Sequence, residues 1–174
     1  MSLKELEKKA LSDQEIKRAL DNKVNLVKYN EIKNYNSIDD LLGKHRKCVI
    51  LFEMDNNIGH WCCVLEIKPK NKKPYILFHD SYGLYPTNEI NYVPYVFKKI
   101  QKPEYLLKLL KEQPLQLHYN QYRLQKLSND ISTCGRHVIV RLLTPNLTED
   151  EFAEFLRSTE YDSDQLVTYL TQNI

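Results

Sequence analysis

Hydrophobic and polar positions divide the chain into helical segments at both ends and strand-like segments between them. Three short runs rich in β-branched and aromatic residues stand in the middle: KCVILFEM (47–54), HWCCVLEI (60–67) and YILFHD (75–80). Turn-forming residues separate them, in DNNIG and in KPKNKKP. Short apolar runs bounded by Asn, Gly and Pro are typical of strands. The spacing predicts a three-stranded antiparallel meander.

Helical patterns precede this sheet. The first twenty residues predict one or two amphipathic helices, with Ser12 as an N-cap. A short helix is predicted at SIDDLLG, where Ser37 caps the start and Gly43 ends the helix.

After the meander, SYGLYPTN (81–88) predicts a loop and PEYLLKLLKEQ (103–113) predicts a helix that begins with proline. The run LQLHYN (115–120) predicts another strand. The apolar segment that opens at Cys134 predicts a helix buried on most sides. Two further helices close the chain, one capped by Thr148 and one starting at Ser163.

Composition favours one soluble α+β domain spanning 1–174. Chains of roughly 150 residues already bury about two thirds of their surface on folding, and this chain has 174 residues. No apolar run approaches the ~20 residues of a membrane helix, and the charged N-terminus is unlike a secretory signal. We therefore expect an intracellular, reducing environment, no membrane partner, and reduced thiols at Cys48, Cys62, Cys63 and Cys134.

Three residues in compatible contexts predict nucleophilic catalysis. Cys134 opens a helix, whose N-terminal partial charge lowers the pKa of a thiol. His60 begins one predicted strand and Asp80 ends the next, so an antiparallel pairing brings the two side chains together. A carboxylate that holds an imidazole raises its basicity, which a base acting on a thiol needs. The set predicts a thiolate–imidazolium pair with an orienting acid.

An acyl-transfer enzyme also needs hydrogen-bond donors for the oxyanion. The backbone N–H of Cys134 is one candidate. Gln125, in YRLQKLSND, is the best side-chain candidate, and Asn129 is the alternative because it stands nearer to Cys134 in the sequence.

The ordered motifs GHWCCVLEI, FHDSYG and LQKLSNDISTCGRHVIV resemble the adenain-like cysteine proteases, which include the adenovirus maturation protease, virophage and giant-virus relatives, and the SUMO-specific proteases. The family pattern is His-Trp on a strand, an acid ending the next strand, and a glutamine before Cys-Gly at a buried helix. Here these positions are His60-Trp61, Asp80, Gln125 and Cys134-Gly135, although Gln125 stands nine positions before Cys134, farther than the family usually places it.

The resemblance implies an α+β, papain-like arrangement in which a small antiparallel-rich sheet packs against the helix that carries the nucleophile. N-terminal helices (1–43) and C-terminal helices (144–174) would flank a catalytic core (47–143). It also implies a monomeric endopeptidase without a cofactor or metal. Its substrates would be capsid or other virion precursors in the virion or infected-cell cytoplasm, with DNA or a peptide as a possible activator.

Three other functions stay open. An isopeptidase that removes SUMO or ubiquitin would use the same residues on another substrate. A non-enzymatic zinc module would draw on His60, Cys62, Cys63, His79, Cys134 and His137, but no paired C-x₂-C spacing occurs. A nucleic-acid-binding protein is suggested by the tyrosines and lysines, but a net charge of +2 and a pI near 8.2 are too mild to indicate it by themselves.

Overall fold

A five-stranded sheet forms the centre of the computed structural model, which describes residues 1–55 and 58–174. From edge to edge the strands follow chain order: β1 (Asn25–Lys28), β2 (Lys47–Asp55), β3 (Ile58–Ile67), β4 (Tyr75–His79) and β5 (Gln116–Tyr119). The three central strands form the predicted antiparallel meander, and each edge strand pairs in parallel with its neighbour. The fold is therefore mixed α+β. The turn predicted between β2 and β3 includes residues 56 and 57, which lie outside the described residues.

Helices pack around this sheet. They are α1 (Leu3–Lys8), α2 (Asp13–Ala19), a 3₁₀ helix (Tyr29–Asn34), α3 (Ile38–Leu42), α4 (Pro86–Tyr92), α5 (Tyr95–Lys98), α6 (Glu104–Glu112), α7 (Cys134–Leu142), α8 (Glu149–Leu156) and α9 (Ser163–Leu170). The predicted caps Ser12, Ser37 and Thr148 each accept a hydrogen bond from a backbone N–H three residues later. The last helix begins at Ser163 as predicted, with Asp162 as its N-cap.

Four short elements were not predicted: the 3₁₀ helix, α5, α4 and β1. The segment 81–88 was predicted as a loop, but its last residues form the first turn of α4, with Pro86 at the position where proline suits a helix start. Strand β1 was not predicted, because four residues with one buried side chain carry too short an alternating pattern. It forms through parallel pairing with β2, a long-range contact.

The sheet separates two hydrophobic clusters, and adjacent residues of β3 point into different ones. Cys62 belongs to the cluster beneath α3 and α6, whereas Trp61 and Cys63 belong to the cluster beneath α2 and α7. Every residue of α7 is buried, as predicted for a central helix. Cys134, the first residue of α7, belongs to the same cluster as Trp61 of β3. The start of α7 thus lies close to the end of the sheet at which β3 begins. Along 1–55 and 58–174, no helix is both long enough and apolar enough to cross a membrane.

Candidate active site

His60 and Asp80 meet at the end of the sheet where strand β3 begins and strand β4 ends. The antiparallel register pairs Cys63 with His79, so Asp80 comes next to Cys62, and His60 lies two residues from Cys62 on the same face of β3. The imidazole Nε2 of His60 hydrogen-bonds to Oδ1 of Asp80. The ring of Tyr82 stacks on the imidazole, with 4.8 Å between centroids and 22° between planes. The predicted His-Asp pair is thus assembled and covered on one face.

The backbone around this pair holds both residues in place. Gly59 lies so close to β2 that a Cβ atom there would come within 1.8 Å of the Phe52 carbonyl oxygen, so only glycine fits before His60. After Asp80 the chain turns through Gly83, whose φ is +76°, and the Leu84 N–H donates to Asp80 Oδ2 over 2.9 Å. One Asp80 oxygen therefore faces the imidazole while the other is held by backbone.

Cys134 is the first residue of α7. The preceding residue, Thr133, is the N-cap but makes no side-chain capping bond, because its hydroxyl donates to Asp164 instead, over 2.5 Å. The backbone N–H groups of Gly135 and Trp61 hydrogen-bond to the Cys134 sulfur. One backbone donor from the start of α7 and one from β3 thus point at the thiol.

Electrostatics favour an ionised pair. Burial raises the pKa of the Cys134 thiol. The hydrogen bond to His60 and the charge of its imidazolium lower the pKa by a larger amount, so the pKa of Cys134 lies below the ordinary value. Burial alone lowers the pKa of His60, and the negative charges nearby, including Asp80, more than reverse this effect. Because Nε2 faces Asp80, the ring nitrogen left for the thiol is Nδ1. The arrangement supports a thiolate beside an imidazolium.

Gln125 lies in the same cleft, whereas Asn129 is exposed on the loop beyond it. The backbone N–H of Gln125 donates to the Ser81 carbonyl oxygen over 2.9 Å, and the Ser81 hydroxyl donates to Gln125 Oε1 over 2.6 Å. With Oε1 engaged, the Nε2 amino group of this buried side chain is the donor left for another partner.

One cleft of about 430 Å³ is lined by Cys134, His60 and Gln125 together. Its rim carries exposed apolar side chains from Ile58, Tyr92 and Leu127. A second cleft of about 610 Å³ adjoins it and shares the wall residues Ala10, Ile58 and Gly59. Open space therefore extends from the thiol past the start of β3.

Several residues at the site were not predicted. Ser81 and Tyr82 follow Asp80 directly in the quoted HDSYG motif, so that motif was a signal for both. Glu89 lies within 3.9 Å of His60 Nε2, but it comes from α4, and its position depends on tertiary packing that no local pattern reveals. The segment after α1 also reaches the site, because the Trp61 indole N–H donates to the Leu11 carbonyl oxygen over 3.0 Å.

One set of side chains here can hold a metal ion. The ligand atoms of His60, Cys62, Asp80 and Glu89 all lie within 4.8 Å of one another, and all four residues are buried. Of the other members of the zinc module considered from the sequence, Cys134 contacts His60 but is not part of this set, and three lie apart from it. Cys63 faces the opposite cluster, His137 hydrogen-bonds to Asp164 over 2.9 Å, and His79 packs against Phe152. The six residues of that module are thus not brought together.

Comparison with known proteins finds one virophage relative. The chain is 41% identical over 175 residues to a Sputnik virophage protein described as "Uncharacterized protein V9", and the match covers 97% of this chain and 98% of that protein. No family model matches the chain. Identity at this level over nearly the whole length indicates a shared fold in both proteins.

Proposed function

The chain belongs to the family of Sputnik virophage protein V9, and we propose that it is a cysteine endopeptidase that processes virion precursor proteins. One observation carries this proposal: the side chains of Cys134, His60 and Gln125, from distant parts of the sequence, line one cleft, with Asp80 bonded behind the imidazole. This is the composition of an acyl-transfer site, in which nucleophile, base, orienting acid and oxyanion donor each have a role.

Catalysis begins at the thiolate of Cys134. Its sulfur attacks the carbonyl carbon of the scissile peptide bond, so an S–C bond forms and the carbonyl π electrons move to oxygen. The Gln125 amino group and the Cys134 backbone N–H stabilise that oxyanion. Because they are fixed before the charge develops, they need no reorganisation during the reaction.

The tetrahedral intermediate then collapses. The oxyanion electrons reform the C=O bond and the C–N bond breaks, while the His60 imidazolium gives its proton to the departing amine. A water molecule, deprotonated by the now neutral imidazole, attacks the thioester, and its collapse returns the thiolate and releases the acid. Asp80 holds the ring orientation through both steps.

Three points support the substrate assignment. The motifs quoted above resemble the adenain-like proteases, and the relative comes from a virophage. The cleft that holds the thiol adjoins a second cleft, and together they leave room for an extended peptide. We therefore place the activity in the virion or the infected cell, with capsid precursors as substrates. An isopeptidase acting on ubiquitin-like conjugates uses the same residues and differs only in substrate.

The experiment compares wild type with Cys134→Ala on two substrate sets: capsid and other structural proteins encoded in the same genome as the chain, and SUMO or ubiquitin conjugates. Wild type should cut the structural proteins at discrete sites, and Cys134→Ala should not, because the nucleophile is missing. Circular dichroism of the variant checks that the fold is kept.

Cys63→Ser is the matched control, because Cys63 is also a buried free cysteine but does not line the cleft that holds Cys134. It should retain cleavage. Cleavage of conjugates alone would change the substrate assignment and leave the chemistry in place. Cleavage by Cys134→Ala at the wild-type rate, or no cleavage of either set by wild type, would contradict the proposal.

A further inference from the structure

On the side of the His60 ring away from Cys134, four side chains that can bind a metal converge. Nε2 of His60 contacts Asp80 Oδ1 and lies 3.9 Å from Glu89 Oε1. The Cys62 sulfur lies 3.8 Å from Asp80 Oδ1 and 3.7 Å from Glu89 Oε1. One nitrogen, one sulfur and two carboxylate oxygens therefore surround a single small volume.

These separations suit a tetrahedral metal ion. With metal–ligand bonds of about 2.0–2.3 Å, the atoms of a tetrahedral site stand roughly 3.2–3.8 Å apart. Three of the contacts that involve Cys62 or Glu89 are already near this spacing. The two direct contacts of Asp80, with His60 and with the Glu89 carboxyl, must open by rotation of these side chains. Nitrogen, sulfur and carboxylate ligands in a tetrahedral set favour zinc among the common divalent ions.

The cluster lies next to an entry path. His60 and Glu89 both line the cleft of about 430 Å³ that also holds Cys134, so an ion entering that cleft reaches the cluster. The supporting strands fix the ligands: Cys62 lies two residues after His60 on the same side of β3, and α4 places Glu89 beneath them. Little rearrangement of backbone is needed.

We propose that His60, Cys62, Asp80 and Glu89 form a binding site for a single zinc ion, separate from the nucleophile Cys134. Cys62 and Glu89 bind as anions, and their protons pass to the solvent. Its effect on activity rests on the proposed function. Zinc on Nε2 displaces Asp80 from the imidazole and prevents the ring from carrying two protons, so His60 can no longer form the imidazolium that protonates the leaving amine. Bound zinc is thus an inhibitor that a chelator removes.

The binding test uses Co²⁺ as a spectroscopic substitute for zinc and the full-length Cys134→Ala protein. Removing Cys134 ensures that no thiolate at the nucleophile position contributes. One equivalent of Co²⁺ should bind and give a thiolate-to-cobalt charge-transfer band together with the visible bands of a tetrahedral site. Zinc should displace the cobalt and abolish both signals.

Two added substitutions identify the sulfur. Cys62→Ser in the Cys134→Ala background should abolish the charge-transfer band and raise the Kd at least about 10-fold. Cys63→Ser in the same background is the control, because it makes the same atom change at the adjacent buried cysteine and should leave the band intact. If Cys62→Ser does not fold, Glu89→Gln provides the second variant. It should keep the band while weakening binding to a similar extent.

Three results would overturn the site: no stoichiometric Co²⁺ binding, a charge-transfer band that survives Cys62→Ser, or a band found in wild type and lost in Cys134→Ala. The activity arm is separate. Zinc should inhibit wild type and Cys63→Ser, and a chelator should restore turnover. Co²⁺ binding by a chain that cleaves nothing would keep the metal site and reject the protease, whereas cleavage without Co²⁺ binding would do the reverse.

Discussion

At the scale of single residues, the unusual spacing between Gln125 and Cys134 has a structural explanation. Gln125 makes two hydrogen bonds to Ser81, the residue after Asp80, one from its backbone N–H and one through its side chain. Its position therefore depends on the end of β4 and not on its distance from Cys134 along the chain. The eight intervening residues form a surface loop that carries Asn129 away from the cleft.

Replacing Gln125 tests this residue as the oxyanion donor. Gln125→Ala should lower turnover by roughly 10²- to 10³-fold, as loss of one such donor does in other enzymes. Alkylation of Cys134 by a haloacetamide should keep its rate, because that reaction forms no oxyanion. Asn129→Ala, the matched control on the exposed loop, should change neither rate. The opposite behaviour of the two variants would assign the donor role to Asn129.

At the scale of elements, Asp164 joins three segments around the site. From the start of α9 it accepts hydrogen bonds from the Thr133 hydroxyl and from the backbone N–H of Lys126, and it bonds to His137 one turn into α7. Burial raises the pKa of this carboxyl, but the His137 and Thr133 contacts lower it below its usual value overall. A single carboxylate therefore positions both the nucleophile helix and the loop that follows Gln125.

Asp164→Asn should disturb the site as well as the fold. An amide cannot accept from all three partners, and one unsatisfied buried polar group costs about 1–3 kcal/mol of unfolding free energy. Turnover should fall at least about 10-fold, because Gln125 and Cys134 lose their common anchor. Chemical denaturation and steady-state kinetics measure the two effects.

The control for that variant is Thr171→Val, which removes the hydroxyl that Arg136 of α7 contacts over 2.7 Å. It weakens the packing of α7 on α9 without touching the Gln125 loop. Its stability should fall while its turnover stays near wild type. Equal losses of turnover in both variants would show that Asp164 acts only through general stability.

The sequence predicted those elements that depend on local pattern. The caps at Ser12 and Thr148 were visible because capping is decided within four residues. Strand β1 and helix α4 were missed, since one needs a parallel partner and the other a buried surface supplied from far along the chain. Glu89 was missed for the same reason, because it lies on α4.

At the scale of the whole molecule, the cleft is built from more of the chain than the segment 47–143 in which the motifs lie. The Ser132 N–H donates to the Glu7 carbonyl oxygen over 2.7 Å, and the Trp61 indole donates to Leu11. Gly135 packs in turn against Leu11 and Ile16. The first two helices therefore form one side of the site, a role that the sequence left open because nothing local connects them to it.

The order of the motifs did predict that Cys134, His60 and Asp80 belong together, because each stands at the end of a regular element. Chemistry concentrates where strands and helices end, and antiparallel pairing alone decides which ends are neighbours. The sequence favoured Gln125 but left Asn129 as an alternative, since the position of each side chain depends on how a loop attaches to Ser81.

Native thiol labelling followed by peptide mapping is the most direct test of an activated Cys134. The other cysteines are buried thiols, and burial raises the pKa of Cys48, Cys62 and Cys63. Iodoacetamide should therefore modify Cys134 first. Because its pKa is lowered, the labelling rate should stay high as the pH falls below the ordinary thiol range near 8.5, where an unperturbed cysteine loses about tenfold per pH unit. His60→Ala should slow labelling at neutral pH, since burial then dominates. Preferential labelling of another cysteine, or equal rates in wild type and His60→Ala, would contradict the account.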